Sequence, residues 1–237
     1  VEHRDPAKCS GEIRDNVVCR IPGNKQRGDQ NDGGFLGRSG TGVWHRTPVA
    51  LTGNWFLGCL FYGIESTGYG EKVSAPPSEW RDNEVCGTNF GFVQFAVSAS
   101  YPRSHPNPAR GEFGRLVAWN YIARALSAYP AKNVDVRGWV VRGTPPAWRT
   151  GNQLGLYFHD YWWEYGDVID CDVRGCQYGL HAPVMAGDAS VDPAPRPFRV
   201  VGGTWANEIE FEVESTYSTA IVPARPRREI TFAPESL

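Results

Sequence analysis

The 237-residue sequence predicts an all-β fold in which the chain winds through a stack of similar turns. Two observations carry this. The phrase ALTGNWFLGCLFYGIES at 50–66 has a grammar of short apolar run, Gly, short apolar run, Gly. It returns as DNEVCGTNFGFVQF at 82–95 and as DVIDCDVRGCQYGLHAPV at 167–184. Composition agrees, with 27 Gly, 18 Pro, 9 Trp, 10 Tyr and 11 Phe, as suits many short strands joined by tight turns around an aromatic core.

Residues 1–34 form a polar segment, with one strand expected at Val17–Cys19 after an Asx turn at Asp15 and Asn16. Apolar density rises from Phe35, and the repeating domain is expected over 35–215. Its body turns alternate with projecting loops at 67–81 and 96–111, both rich in Pro or polar residues. Between Phe113 and Tyr129 the phrase AWNYIARALSAY contains good helix formers, which offers a helical alternative. Continuation of the stack instead predicts strands at Leu116–Ala118 and Ile122–Leu126 around a polar corner at Asn120. The stretch 133–143 alternates cleanly and reads as one strand, with Val134, Val136, Gly138 and Val140 opposite Asp135, Arg137, Trp139 and Val141. Ile209, Phe211 and Val213 form the apolar side of a last strand whose other side carries Glu208, Glu210, Glu212 and Glu214. A solvated strand face is the expected reading of these glutamates, with calcium, or Arg227 and Arg228 from the 216–237 tail, as the alternative compensation. The body turns recur about 24 to 33 residues apart, as in a coil with two or three strands per turn.

The net charge of −2, from 24 basic and 26 acidic residues, shows no basic field and argues against a nucleic-acid partner. No run of 18 apolar residues occurs, so no membrane span is expected. The chain begins at Val1, which suggests a removed leader or a piece of a longer polypeptide. Six cysteines permit up to three disulfides, including a short loop closed by Cys9 and Cys19. Cys59, Cys86 and Cys171 sit in apolar runs, where a thiol also serves as a small hydrophobe. These features lead to the expectation of a secreted or cell-surface protein.

NWFLGCLFYGI at 54–64 and CDVRGCQYGL at 171–180 resemble rungs of right-handed parallel β-helix proteins of the pectate-lyase-like superfamily. The resemblance implies an all-β, right-handed parallel β-helix with inserted loops. It also implies an extracellular polysaccharide-active or polysaccharide-binding protein, a lyase or glycoside hydrolase acting on acidic sugars. The aspartate pair and Gly-His-Gly phrase of polygalacturonase-like hydrolases are missing. Asp167, Asp170, Asp172 and Arg174 imitate the aspartates and basic residue of calcium-dependent lyases, which makes calcium the candidate cofactor.

The residues themselves point to two candidate groups. GLYFHDYWWEYGD at 155–167 is the most aromatic stretch. Rings stack on the apolar faces of sugars and carboxylates accept their hydroxyls, so Tyr157, Asp160, Trp162, Trp163 and Glu164 are the expected polysaccharide-binding residues. On a single strand Asp170, Asp172 and Arg174 would share one face, with the carboxylates spaced as a general acid and base around a sugar. Arg174 would hold a uronate carboxylate, and His159 is a fourth candidate catalytic group. No local histidine pair has metal-ligand spacing. The competing expectation is a noncatalytic structural or interaction chain whose aromatic patch is covered by a protein partner.

Overall fold

The computed structural model describes residues 11–21, 40–45, 49–67, 79–95, 97–98, 111–128, 131–132, 134–149, 151–158, 167–183, 198–214 and 230–232. Successive turns of chain each lay down three strands. The first turn comprises Gly11–Arg14 (β1), Val17–Cys19 (β2) and Val43–His45 (β3). The second comprises Val49–Thr52 (β4), Trp55–Leu57 (β5) and Tyr62–Thr67 (β6), and the third Glu79–Arg81 (β7), Asn83–Cys86 (β8) and Phe90–Phe95 (β9). After Val97–Ser98 (β10), the fourth runs through Gly111–Gly114 (β11), Leu116–Trp119 (β12) and Arg124–Ala128 (β13). Ala131–Lys132 (β14) pairs with β10 and leads into the fifth, Val134–Arg137 (β15), Val140–Arg142 (β16) and Leu154–Phe158 (β17). Asp167–Ile169 (β18), Asp172–Arg174 (β19) and Tyr178–Pro183 (β20) form the sixth. Phe198–Val201 (β21), Thr204–Ala206 (β22) and Ile209–Glu214 (β23) form the seventh, and Ile230–Phe232 (β24) pairs with β21.

Equivalent strands pair in parallel and build three walls. The leading wall is β1-β4-β7 and β11-β15-β18-β21-β24, the central wall β2-β5-β8-β12-β16-β19-β22, and the trailing wall β3-β6-β9-β13-β17-β20-β23. The chain is therefore all-β with stacked parallel sheets and, among the described residues, one short 3-10 turn at Pro146–Trp148. This is compatible with a parallel β-helix. The stack takes in strands on both sides of 35–215, since β1 and β2 pair with β4 and β5.

In-register side chains from the three walls meet inside. The central wall contributes Phe56, Val85, Ala118, Val141 and Val173. The trailing wall contributes Ile64, Phe92, Leu126, Leu156 and Leu180, and the leading wall Leu51, Trp80, Phe113, Val136, Val168 and Val200, all buried. Each such side chain contributes about 1.5–3 kcal/mol when fully removed from water. Trp80, Phe92 and Phe113 pack edge-on or tilted at centroid distances of 4.8–5.1 Å, and the buried Trp139 indole donates to the Phe113 carbonyl at 2.8 Å.

The recurring Gly and Asx residues are explained by corners. Between leading and central strands, Asp15, Gly53, Asp82, Arg115, Gly138, Asp170 and Gly202 all have positive φ. Asp and Gly tolerate that left-handed conformation better than most residues. The residues after the first three of these corners form a ladder: Asn16, itself exposed, donates to the buried Asn54 at 3.1 Å, and Asn54 to the buried Asn83 at 3.0 Å. A second corner, at Arg20, Gly58, Gly87, Asn120 and Gly175, joins central to trailing strands. Here the expected corner at Asn120 is found between β12 and β13, so the helical alternative is not adopted.

The single strand expected over 133–143 is divided into β15 and β16. Gly138, at φ +65, resets the alternation, so that Val136, Trp139 and Val141 are all buried. The disulfide expectation also requires correction. Cys19, Cys59, Cys86, Cys171 and Cys176 carry free thiols, and Cys59, Cys171 and Cys176 are core residues.

Candidate functional site

Asp172 and Arg174 lie on the same strand, β19, with Val173 between them pointing into the core. Their side chains therefore share the outer face of the central wall. Arg174 Nε donates to Asp172 Oδ1 at 2.6 Å. From the preceding turn, Arg142 Nη2 donates to Asp172 Oδ2 at 2.5 Å and Nη1 to the Asp172 carbonyl at 2.9 Å. Partial burial raises the Asp172 carboxyl, but the hydrogen bonds from Arg142 and then Arg174 outweigh it and hold it below the ordinary value.

Asp170 does not join them on a common strand face. It is the positive-φ corner between β18 and β19, and its backbone N–H donates to the Val201 carbonyl at 2.8 Å. An aspartate in a repeating strand phrase had the same alternation as a strand residue, and the corner breaks that alternation. Asp167 lies before the corner on the leading wall, where Arg199 Nη2 holds its Oδ2 at 2.6 Å. The three aspartates thus do not converge as an imitation calcium site. Among the described residues no group of three or more His, Cys, Asp or Glu is placed to hold a metal.

The outer face of the central wall continues from Arg142 toward the N-terminal turns as a strip that sequence reasoning missed. Trp119 is in register with Arg142, and its indole N–H donates to Glu84 Oε1 at 2.7 Å. Glu84 is in register with Trp55. Trp55 and Trp119 are 50% and 42% exposed, unusual for the largest side chain. Alternation in Asn54-Trp55-Phe56-Leu57 carried the signal: Asn54 and Phe56 are buried, so Trp55 must face out. The aromatic density of 155–167 drew attention away from it.

Tyr157 lies on another wall. It sits on β17, in register with His181 of β20, with ring centroids 4.8 Å apart. The Arg124 guanidinium lies 4.0 Å from the Tyr157 ring centroid and donates to Ser127 at 3.1 Å. His181 Nδ1 is 3.0 Å from Glu212. The candidate catalytic pair Asp172 and Arg174 is consequently separated by a corner from Tyr157. His159, Asp160, Trp162, Trp163 and Glu164 lie outside the described residues, as do Arg227 and Arg228. The glutamates near the last trailing strand find partners within the stack: Glu208 pairs with Arg149 at 2.6 Å, Glu210 Oε1 accepts from the Asn207 backbone N–H at 3.2 Å, and Glu212 lies 3.0 Å from His181 Nδ1. No helix among the described residues is long and apolar enough to cross a membrane.

No protein-family model, curated protein or solved structure matches the chain.

Proposed function

We propose that the chain is a right-handed parallel β-helix that binds extracellular acidic polysaccharide along the outer face of its central wall. Crossovers between parallel strands are overwhelmingly right-handed, which supports the hand. The single observation that carries the function is the strip Trp55, Glu84, Trp119, Arg142, Asp172, Arg174. Its exposed indoles offer stacking surfaces for sugar rings, and its two guanidiniums offer planar donor forks for a carboxylate. Its members come from consecutive turns spaced about 4.8 Å apart, which suits a polymer lying along the stack.

Asp172, paired twice and held in its ionised form, is suited to orienting Arg142 and Arg174 and poorly suited to giving up a proton. Binding is therefore favoured over cleavage by a lyase or hydrolase reaction at this face. Calorimetry with polygalacturonate, alginate, deacylated gellan and dextran tests the reading, using the chain and its Trp119→Ala and Arg174→Ala variants. The expected outcome is saturable binding of at least one acidic polymer that each variant weakens about tenfold. Absence of binding to every acidic polymer overturns it.

A second reading, a noncatalytic interaction subunit, is favoured by Val17, 63% exposed on the same face beside Trp55. Quenching of the exposed indoles on addition of a partner protein, with no response to glycans, selects that reading.

A further inference from the structure

The charge pattern along the central wall is not uniform, and this bears on the kind of acidic polymer that fits. The inference rests on the binding reading above. At one end, Glu84 lies between two exposed indoles, in register with Trp55 and bonded to Trp119 at 2.7 Å. At the other end, Arg142 and Arg174 face a single carboxylate, Asp172, leaving one net positive charge. Strand register fixes the separation. Glu84 is paired to Val117, Val117 to Val140, and Val140 to Asp172, so three turns divide the two ends, about 14 Å at the usual strand spacing.

We infer that the strip selects a glycan in which uronate units are separated by uncharged units, against one carrying a carboxylate on every unit. A polymer laid along the axis places successive sugars over successive turns. Its uronate carboxylate is attracted by the two guanidiniums. The sugars over Trp55 and Trp119 stack on the indoles, and the one between them donates hydroxyls to Glu84. A carboxylate at that second position would instead face Glu84, and like charges at about 4 Å cost about 1 kcal/mol even in a watery dielectric, equivalent to about fivefold in affinity. Glu84 thus serves twice: it orients the Trp119 ring through the indole N–H, and it discriminates by charge.

The test compares three polymers on the intact chain by calorimetry at low and moderate salt: deacylated gellan, with one uronate among neutral sugars, polygalacturonate, with a carboxylate on every unit, and dextran, with none. Gellan is expected to bind about fivefold or more tightly than polygalacturonate and far more tightly than dextran. Glu84→Gln keeps an oxygen acceptor for the indole while removing the charge, and is expected to raise polygalacturonate affinity about fivefold while gellan, whose hydroxyls lose a charged acceptor, does not gain, so that the preference between the two polymers closes. Arg174→Gln is expected to erase the preference for gellan over dextran. Polygalacturonate binding as tightly as gellan, unaltered by Glu84→Gln, overturns the inference and leaves the binding reading standing. Failure of all three polymers to bind overturns both. Circular dichroism of each variant is the control for retention of the β fold.

Discussion

The side-chain amide of Asn54 donates to Oδ1 of Asn83 on the next turn at 3.0 Å, with both residues wholly buried. The same Asn54 amide reaches back to the Ile13 carbonyl at 2.7 Å, and its Oδ1 accepts from the Asn16 backbone and side chain at 3.1 Å. One side chain thereby ties three consecutive turns at the first corner. Truncation would take a donor from the buried Asn83 Oδ1 and from the Ile13 carbonyl, and an unpaired buried polar group costs about 1–3 kcal/mol, whereas the exposed Asn16 can turn to water. Asn54→Ala is expected to lower unfolding free energy by about 3 kcal/mol, read from urea denaturation. A loss below about 1 kcal/mol would show that water takes over the ladder.

Gly155 lies in the trailing wall where a Cβ would meet the Gly179 carbonyl oxygen at 2.4 Å and Val173 Cγ1 at 2.8 Å. Neither obstacle is the end of a flexible side chain. Gly155→Ala is expected to destabilise by about 1–3 kcal/mol through forced separation of two turns. Gly151 has nothing within 4 Å of its Cβ position, and Gly151→Ala serves as the control, with an effect near zero or slightly stabilising. Thermal denaturation of the pair decides; equal midpoints would contradict the close approach.

Asp172 supplies a pH dependence with a defined sign. Its carboxyl is held below the ordinary value of 3.8 in the folded chain, so its contribution to stability is fully present above that value and is lost as pH falls through the lower folded value. The group is 28% exposed, and solvent screening keeps the contribution small. Asp172→Asn is expected to flatten this part of the acid limb of the stability curve. It also leaves Arg142 and Arg174 without their shared anion, so weak anions such as sulfate should stabilise the variant more than the parent. An acid limb unchanged by the substitution would show that the two ion pairs contribute nothing measurable.

The thiols divide by location. Burial pushes Cys171 up to about 12 and Cys59 and Cys176 up to about 11, and all three are enclosed in the core. Cys19 is exposed. Because the thiolate is the reactive form, iodoacetamide at pH 8 is expected to label Cys19 rapidly, and these three only after unfolding. Peptide mass mapping with time reads the order. Early labelling of Cys171 would mean that the sixth turn opens locally.

Much of the architecture was legible in the residues because a coil imposes the same chemistry at the same place on each turn. The phrases Tyr62-Gly63-Ile64, Phe90-Gly91-Phe92 and Tyr178-Gly179-Leu180 occupy equivalent stations of the trailing wall, the first two paired in register and the third in the same register three turns further on. The candidate site was less legible. Asp170 and Asp172 read as neighbours on one face, since period-2 alternation looks identical whether or not a left-handed corner intervenes. Gly138 concealed the division of β15 from β16 in the same way.

By itself the sequence determined that short strands repeat, that Gly and Asx punctuate them, and that Trp55 and Asp172 must alternate with buried neighbours. These are local consequences of backbone conformation and side-chain polarity. Tertiary structure alone decided which turns stack against which. Register between turns brought Arg142 onto Asp172, Trp119 onto Glu84 and His181 onto Glu212, pairs separated by roughly one turn of chain. Such partners are chosen by the lengths of the intervening loops and by the fit of the core beneath them, and neither is written in the spacing of the residues that meet.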